Sequence, residues 1–154
     1  MRIGVDGLMG SGKTMFADAL ARRIPATRLS IDDFHRPPAE RIDYYTDAFD
    51  LHAFRAAVEA TPGAVIADGI FLHKPELRGV FDLTIWLMVD RDVARGRAIE
   101  RDRGRLADAV ERYATRYAPA ETRYLAEIDP ARLADLVVEN TDPAHPRLLL
   151  DSNP

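Results

Sequence analysis

The sequence predicts an α/β fold, in which parallel strands form one sheet and helices cover it. Short apolar runs alternate with longer stretches whose apolar residues recur at helical spacing, which is typical of strands joined by crossover helices. The chain has 154 residues, of which 47% are hydrophobic and 30% are charged. These values suit a globular protein that folds as one domain. We therefore expect a single domain over residues 1–154.

Five short apolar runs are the strand candidates, which is sufficient for one sheet. They are bounded by turn-forming or charged residues, and their length is typical of strands rather than of helices. The predicted strands are residues 2–6, 27–31, 64–68, 83–89 and 135–139.

Two segments between these strands have the spacing of amphipathic helices. Residues 13–24, "KTMFADALARRI", and 51–60, "LHAFRAAVEA", each place their apolar side chains on one helical face. Asp50 precedes the second segment, where its carboxylate can cap the first turn. Both segments are predicted to cover the sheet.

Two other segments are less regular. Residues 92–117 have a helical composition interrupted by Gly96 and Gly104, which predicts two helices with a mobile joint. Residues 32–50 carry a Pro pair, several aromatic rings and many charges without clear periodicity. Long irregular connections in compact domains are commonly binding loops, so we expect this one to be functional.

The charge and composition of the chain exclude several classes of protein. The net charge is −4, so no general positive field attracts nucleic acid or an anionic membrane, and any anion site must be local. Cysteine is absent, which excludes disulfides and thiolate sites and favours a cytoplasmic location. No signal region precedes the first strand, and no run of about 18 apolar residues occurs, so we expect neither export nor membrane insertion.

The segment "GLMGSGKT" lies between the first predicted strand and the first predicted helix. Glycine, four residues, then Gly-Lys-Thr is the phosphate-binding P-loop pattern, and it has the required strand before and helix after. Its backbone N–H groups can point at phosphate oxygens, and the helix adds its positive dipole end. The alternative is a glycine-rich turn with a surface lysine. The predicted nucleotide-binding residues here are Gly7, Gly10, Ser11, Gly12, Lys13 and Thr14.

Lysine is scarce in this chain. Lys13 and Lys74 are its two lysines, and Lys13 lies inside the glycine cluster. Its ammonium is expected to contact the β- and γ-phosphates of a nucleoside triphosphate. Neither lysine lies in the Asn-Lys-x-Asp pattern by which GTPases recognise guanine, so guanine specificity is not supported.

A Mg²⁺ site is expected beside the P-loop. Thr14 supplies a hydroxyl, and a carboxylate at the end of a neighbouring strand would hold the metal directly or through water. Asp68 ends the predicted strand 64–68 and is the preferred candidate. Asp6 is the alternative metal ligand. The alternative for Asp68 is a polar strand end that has no role in metal binding.

The order of several motifs resembles the uridine kinase-like family of P-loop kinases. The similar segments cover nearly the whole chain, and "DDFHRP" and "DGIFLHKPEL" are more specific than the P-loop itself. In order, they are "GSGKT", "SIDDFHRP", "DGIFLHKPELRGVFDL", "ERD", "RYATRYAPAETRYL" and "ADLVVEN". The resemblance implies a five-stranded parallel sheet and transfer of the γ-phosphoryl group of ATP to a hydroxyl of a small molecule. Asn140, which ends the last motif, would lie at the nucleotide.

Asp32 matches the position of the general base in that family. A carboxylate near the end of the second strand can accept the proton of the acceptor hydroxyl. Asp33 is the adjacent alternative, although successive residues leaving a strand point in different directions. His35 and Arg36 follow and are candidate walls of the acceptor pocket. The alternative for the two aspartates is a solvated loop start or a helix cap. The alternative for His35 and Arg36 is packing within the loop.

Arginines are concentrated in residues 91–105, which we interpret as the kinase lid. Arg97 and Arg101 are four residues apart, so they share a helix face and could close over the transferred phosphoryl group. These two also match lid arginines in the similar family. A charged solvent face is the alternative for the cluster, whose members are Arg91, Arg95, Arg97, Arg101, Arg103 and Arg105.

The chain departs from the uridine kinase-like pattern at the acceptor site. The family's base-binding hairpin is replaced by "EATPGA", and the position of its ribose-holding aspartate is occupied by Tyr44. Asp43 or Asp47 could substitute for that aspartate. The acceptor expected from the resemblance is uridine or cytidine, with sugars, vitamins and other alcohols as alternatives. Two other functional classes are considered: a regulatory ATP-binding module without catalysis, and an interaction protein with an accidental motif. The sequence predicts no particular oligomeric state.

Overall fold

The computed structural model describes residues 1–151 as an α/β fold built on a six-stranded sheet. The strand order is β2-β3-β1-β4-β5-β6, so the first strand lies in the middle of the sheet. The strands are β1 (Arg2–Gly7), β2 (Thr27–Ser30), β3 (Val65–Gly69), β4 (Leu83–Met88), β5 (Leu136–Glu139) and β6 (Arg147–Asp151).

Seven α-helices and several shorter turns connect these strands in the described part of the chain. A π-helical turn, Tyr113–Tyr117, and three 3₁₀ turns, Ile31–Phe34, Pro38–Glu40 and Pro75–Leu77, complete the elements. The helices are α1 (Lys13–Ala21), α2 (Tyr44–Asp47), α3 (Leu51–Ala60), α4 (Arg91–Arg103), α5 (Ala109–Arg112), α6 (Ala118–Ile128) and α7 (Pro130–Leu133).

All five predicted strands are present, and β1 to β5 pair in parallel. The prediction of a five-stranded, all-parallel sheet is wrong in one respect, because β6 adds an antiparallel edge to β5 with an irregularity between Val137 and Val138. The side chains of Leu148 and Leu149 are exposed. An edge strand needs no buried apolar face, so it lacks the signal by which the other strands were predicted.

Helix α4 confirms one of the two interruptions predicted in residues 92–117, at Gly104, and corrects the other, at Gly96. The helix runs without a break through Gly96 and ends at Gly104. Asp90 caps its first turn, where the Asp90 carboxylate accepts hydrogen bonds from the N–H groups of Asp92 and Val93. Glycine inside a helix costs about 1 kcal/mol. Capping and burial of Ala94 offset that cost, so composition alone wrongly predicted an interruption at Gly96.

Residues 32–50 are more ordered than their sequence indicates. The segment contains two 3₁₀ turns and α2, and an isolated antiparallel bridge joins His35 to Phe49. Tyr44 packs against Phe49 and Phe71, with ring centroids 5.9 and 6.1 Å apart. This packing attaches the segment to the core at the carboxyl end of the sheet.

The topology places the candidate site at the carboxyl ends of the central strands. Because β1 lies between β3 and β4, the loops that follow β1 and β3 meet at the carboxyl ends of parallel strands, where ligands bind in open α/β sheets. The core has a part around Phe54, Phe71 and Tyr124 and a second part that includes Ala17 of α1. Among residues 1–151, no helix is both long and apolar enough to cross a membrane.

Candidate active site

The loop between β1 and α1 has the curled backbone that its glycines predict. Gly10 and Gly12 adopt φ angles of +77° and +86°, which side chains rarely tolerate, and Ser11 N–H donates to the Leu8 carbonyl at 3.1 Å. Gly7 is equally constrained, because a Cβ atom there would lie 2.5 Å from Ser11 Oγ. Helix α1 then starts at Lys13. The backbone is therefore shaped as a phosphate-binding turn at a helix N-terminus.

Lys13 lies among carboxylates at the end of this loop. Its ammonium donates a hydrogen bond to the Leu8 carbonyl at 2.8 Å. Desolvation lowers the pKa of Lys13, and the opposing influence comes from four carboxylates, which are those of Asp6, Asp32, Asp68 and Glu121. The predicted base and the predicted metal ligand thus both act on the ammonium of the P-loop lysine.

Thr14 and Asp68 lie together, as the Mg²⁺ prediction requires. The Thr14 hydroxyl donates to Asp68 Oδ2 at 2.8 Å, and the Asp68 side chain is almost fully buried. Within residues 1–151, no three acidic, histidine or cysteine side chains are grouped to hold a metal. One hydroxyl and one carboxylate nevertheless fit Mg²⁺, which usually takes its other ligands from phosphates and water.

Arg28 is a member of this site that sequence reasoning missed. Its guanidinium donates to Asp68 Oδ1 at 2.7 Å, to the Ile66 carbonyl at 2.7 Å and to Asp18 at 3.0 Å. The pairing of β2 with β3, in which Arg28 lies opposite Ile66, brings the arginine to Asp68. The available signal was an arginine inside a short apolar strand, which indicates a buried partner.

Asp6, the alternative metal ligand, is engaged in the fold. It is fully buried, and its Oδ1 atom accepts a 2.7 Å hydrogen bond from Gly7 N–H. Its Oδ2 atom accepts hydrogen bonds from the Tyr124 hydroxyl and from His73 N–H, and lies 2.8 Å from His73 Nδ1. These contacts give Asp6 the role of fixing the start of the phosphate-binding loop.

Asp32 lies in the 3₁₀ turn that follows β2. The Ser30 hydroxyl accepts a hydrogen bond from Asp32 N–H, and the Asp32 carboxylate is exposed. Burial raises the pKa of Tyr44 and lowers that of Lys13, and the hydrogen bond with Asp102 raises the pKa of Arg101; the charge of Asp32 is a further upward influence on all three. The Asp32 carboxylate is thus close enough to Lys13, Arg101 and Tyr44 to influence their pKa values, while Asp33 is an exposed neighbour in the same turn.

His35 and Arg36 contact the other end of the loop, at Phe49, and His35 also contacts Asp32. His35 Nδ1 lies 2.7 Å from the Asp32 carbonyl, and the His35 ring lies 4.5 Å from that of Phe49. Arg36 Nε donates to the Phe49 carbonyl at 3.3 Å. These contacts close the loop formed by residues 32–50, and a direct substrate contact for either residue stays a prediction.

Asp43 and Asp47 hold α2 through capping interactions. The Asp43 carboxylate accepts hydrogen bonds from Tyr45 and Thr46 N–H at 2.8 and 3.1 Å, and Asp47 Oδ2 accepts one from Asp43 N–H at 3.0 Å. The hydrogen bond from Asp43 lowers the pKa of Asp47. Tyr44, which lies between them in sequence, is the residue that points into the core beside Asp32.

The two predicted lid arginines have different environments. Arg101 pairs with Asp102 at 2.9 Å, and that hydrogen bond raises the pKa of Arg101. Arg97 donates to the Thr141 carbonyl at 2.6 Å, on the loop between β5 and β6. Arg101 is therefore directed toward the Asp32 side and Arg97 toward the Asn140 side of the site. A shared role for the two over one phosphoryl group stays a prediction.

Asn140 joins β5 to the phosphate-binding loop. Its Nδ2 atom donates to the Ser11 carbonyl at 2.8 Å, and its side chain is buried. A cavity of about 520 Å³ begins at this contact and extends along the outer side of α1. Its lining includes Gly12, Met15, Phe16, Asn140, Pro143 and Pro146.

Glu121 is a buried carboxylate that sequence reasoning missed. Its Oε1 atom accepts a 2.8 Å hydrogen bond from Met9 N–H, and its Oε2 atom accepts one from the Tyr113 hydroxyl at 2.7 Å. Burial raises the pKa of Glu121. The segment "APAET" gave no local sign of this contact, which depends on α6 packing behind the phosphate-binding loop.

Comparison with solved structures identifies the fold. The chain is similar to a possible uridine kinase from Bacillus stearothermophilus, with TM-score 0.70, 21% identity, and coverage of 89% of this chain and 87% of that one. The fold is that of P-loop kinases. Shikimate kinase from Bacteroides thetaiotaomicron gives TM-score 0.58 and 21% identity over 90% and 86% of the two chains.

A further similar structure is a gluconokinase from Sinorhizobium meliloti 1021, with TM-score 0.50 and 21% identity over 65% of this chain and 64% of that one. No protein-family model matches the chain, and no curated protein matches it significantly. At this level of identity the comparisons establish the α/β fold with its mostly parallel sheet, and they leave the substrate open.

Proposed function

We propose that the protein is an ATP- and Mg²⁺-dependent kinase that transfers the γ-phosphoryl group to a hydroxyl of a small molecule. The observation that carries this proposal is the meeting of Lys13, the Thr14–Asp68 pair and Asp32 at one edge of the sheet. The similar structures include a possible uridine kinase, a gluconokinase and a shikimate kinase. This similarity to P-loop small-molecule kinases supports the same class of reaction.

The donor half of the site would hold the triphosphate on the backbone N–H groups before α1. The two positive-φ glycines give the loop its curvature, and Lys13 adds a positive charge near the β- and γ-phosphates. The cavity beside Asn140 is lined mainly by apolar side chains, with one amide and the two arginines Arg22 and Arg23, which suits a flat aromatic base. Thr14 and Asp68 would hold Mg²⁺, which supplies charge neutralisation on the phosphates.

The acceptor half of the site supplies the base. The acceptor hydroxyl would lie against Asp32, and its oxygen would form the new bond to the γ-phosphorus as the bond to the β-phosphate oxygen breaks. The hydroxyl proton passes to the Asp32 carboxylate, and ADP leaves. Arg101, whose charge interacts with Asp32, would offset the negative charge that develops on the transferred group.

The identity of the acceptor is the finer part of the proposal. The sequence resemblance favours uridine or cytidine, whereas the connection from α3 to β3 is a short turn, residues 61–64, with no room for a base-binding hairpin. That short connection also motivates the second candidate function, an ATP-binding regulatory module. Sugars and other alcohols remain acceptors that this chemistry accommodates.

An acceptor screen tests the proposal. ADP release is measured with Mg·ATP and a panel of nucleosides, sugars and hydroxy acids, followed by Asp32→Asn and Asp33→Asn with the best acceptor. Loss of a general base costs about 10²- to 10⁴-fold in rate, so Asp32→Asn should lower kcat by that factor while the Kd for Mg·ATP is unchanged. Asp33→Asn is the matched control and should retain activity.

The outcomes separate the candidate functions. Full phosphotransfer by Asp32→Asn would show that this residue is not the base. Mg·ATP binding without acceptor-dependent ADP release would favour the regulatory module. Absence of any difference in nucleotide affinity between the wild type and Lys13→Ala would reject the P-loop as a nucleotide site.

A further inference from the structure

The acceptor side of the site carries arginine charge that carboxylates of the protein do not neutralise. Arg101 is balanced by Asp102, and Arg36 donates a hydrogen bond to the Phe49 carbonyl. Arg41 and Arg116 form no ion pair with any carboxylate among residues 1–151. These two residues are the Arg41/Arg116 pair of the following paragraphs.

Arg116 of this pair lies beside Tyr44 and contacts the backbone of Arg41. The Arg116 guanidinium lies 5.5 Å from the centre of the Tyr44 ring, and it reaches the backbone carbonyl of Arg41 at 3.5 Å. The Nε atom of Arg41 is buried and has no hydrogen-bond partner in the described chain. A buried guanidinium nitrogen without an acceptor is costly unless a ligand supplies one.

The backbone directs Arg116 to this position through an unusual turn. Residues Tyr113–Tyr117 form a π-helical turn between α5 and α6, and such turns occur frequently at functional sites. The turn also brings the Tyr117 ring to 4.8 Å from Tyr44. The irregular geometry thus delivers one cation and one ring to the acceptor side of Asp32.

The charge around Tyr44 is suited to an anion. Asp32 raises the pKa of Tyr44, while Arg101 and Arg116 lower it, so the phenol lies between the predicted base and two cations. In the similar uridine kinase-like family this position is an aspartate that holds ribose. A carboxylate there would repel an acidic acceptor, whereas a neutral phenol does not.

We propose that the phosphoryl acceptor is an alcohol that carries an anionic group, a carboxylate or a phosphate monoester, bound by Arg116 together with Arg41 while its hydroxyl faces Asp32. This inference rests on the proposed kinase function and narrows its acceptor. Guanidinium groups bind both anions through paired hydrogen bonds, so the two chemistries share one subsite. Neutral nucleosides lack the group that would satisfy the pair.

Matched six-carbon alcohols test the charge preference directly. Gluconate differs from sorbitol at C1 and sorbitol 6-phosphate differs from sorbitol at C6, so both anions share one neutral counterpart, and shikimate with its methyl ester provides a cyclic pair. We expect kcat/KM to be at least about tenfold higher for an anionic member than for its neutral counterpart, which corresponds to one charged hydrogen bond. Gluconate or shikimate preferred over sorbitol 6-phosphate identifies a carboxylate site, and the reverse order identifies a phosphate site.

Variants connect the preference to the arginines. Arg116→Gln should raise KM for the preferred anionic acceptor by about 10- to 100-fold, with kcat and the Kd for Mg·ATP little changed. Arg116→Lys should recover part of that loss, because it keeps the charge and loses the paired geometry. Arg132→Gln, an exposed arginine on α7, is the matched control and should leave both constants unchanged.

Binding measurements keep the inference separate from the kinase function. Gluconate and shikimate, with sorbitol and methyl shikimate as controls, are titrated by calorimetry into protein saturated with Mg·ADP. Anion-selective binding that Arg116→Gln weakens, without any ADP release in the screen, would reject the kinase and retain the anion site. Preference for a neutral acceptor, equal binding of acid and neutral compounds, or a preference that survives both Arg116→Gln and Arg41→Gln would overturn the inference.

Discussion

Gly10 is a point of close approach between the phosphate-binding loop and α4. A Cβ atom at Gly10 would lie 2.0 Å from the Ala94 carbonyl oxygen and 3.0 Å from Ala98 N, and the residue has φ +77°. Gly63 has a similar φ of +81°, but a Cβ atom there would meet nothing within 4 Å. The two glycines therefore form a matched pair that separates backbone strain from collision.

The magnitudes follow from this geometry. A side chain in the left-handed region costs about 1–2 kcal/mol, and both Gly10→Ala and Gly63→Ala incur that cost. Gly10→Ala also forces the loop away from backbone atoms of α4, which cannot rotate aside, for about 1–3 kcal/mol more. At about 2–4 °C per kcal/mol, Tm should fall by a few degrees for Gly63→Ala and about 10 °C for Gly10→Ala.

Urea unfolding and Mg·ATP calorimetry test both parts of this prediction. Gly10→Ala should also weaken Mg·ATP binding by at least about tenfold, because the displaced N–H groups no longer converge on the phosphates. Gly63→Ala should bind Mg·ATP as the wild type does. Losses of unfolding free energy that agree within about 0.5 kcal/mol, the usual range of a neutral substitution, would refute the close approach of the loop to α4.

Asn140→Ala should lower the free energy of unfolding by about 1–3 kcal/mol and weaken Mg·ATP binding, because it leaves the Ser11 carbonyl without its buried donor; unchanged nucleotide affinity by calorimetry would contradict this role. Arg28→Gln should cost about 1–3 kcal/mol without ligand, between the values for surface and buried ion pairs, because Asp68 loses its cation. Mg·ADP should then stabilise this variant more than the wild type in thermal unfolding, and equal shifts would count against Asp68 as the metal-side carboxylate. Burial raises the pKa of Glu121 above its ordinary 4.5, so the folded protein retains a proton that the unfolded chain has released. The free energy of unfolding of the wild type, relative to that of Glu121→Gln, should therefore fall as the pH rises from 4.5 to the raised pKa. The same pH dependence for both proteins in urea unfolding would exclude this linkage.

The sequence was most informative where function constrains local geometry. The P-loop glycines, Lys13 and Thr14 are adjacent in sequence, so their spacing reports their arrangement directly. Asp32 and Asp68 were predictable because one follows and the other ends a recognisable strand, and the carboxyl ends of parallel strands lie on the same side of the sheet. The positions of these residues relative to the sheet agree with the predicted fold, while their catalytic and metal roles await the experiments above.

The features that were missed depend on contacts between distant segments. Arg28 becomes part of the site through strand pairing, and Glu121 through the packing of α6 behind Met9, neither of which has a local pattern. The π-helical turn has an ordinary helical composition, and its extra residue per turn has no sequence signature. The break predicted at Gly96 failed for the opposite reason, because tertiary packing overrides a weak local preference.

Helix α6 supports the donor loop at two points, since Tyr124 donates to Asp6 and Glu121 accepts from Met9 N–H. The same helix continues directly from the turn that carries Arg116. Shortening that turn by one residue would rotate the arginine by about 100° and shift the helix by about 1.5 Å along its axis. Insertion or deletion of residues there would therefore displace α6 and its contacts with the donor loop, whereas replacement of the Arg116 side chain would leave those contacts in place.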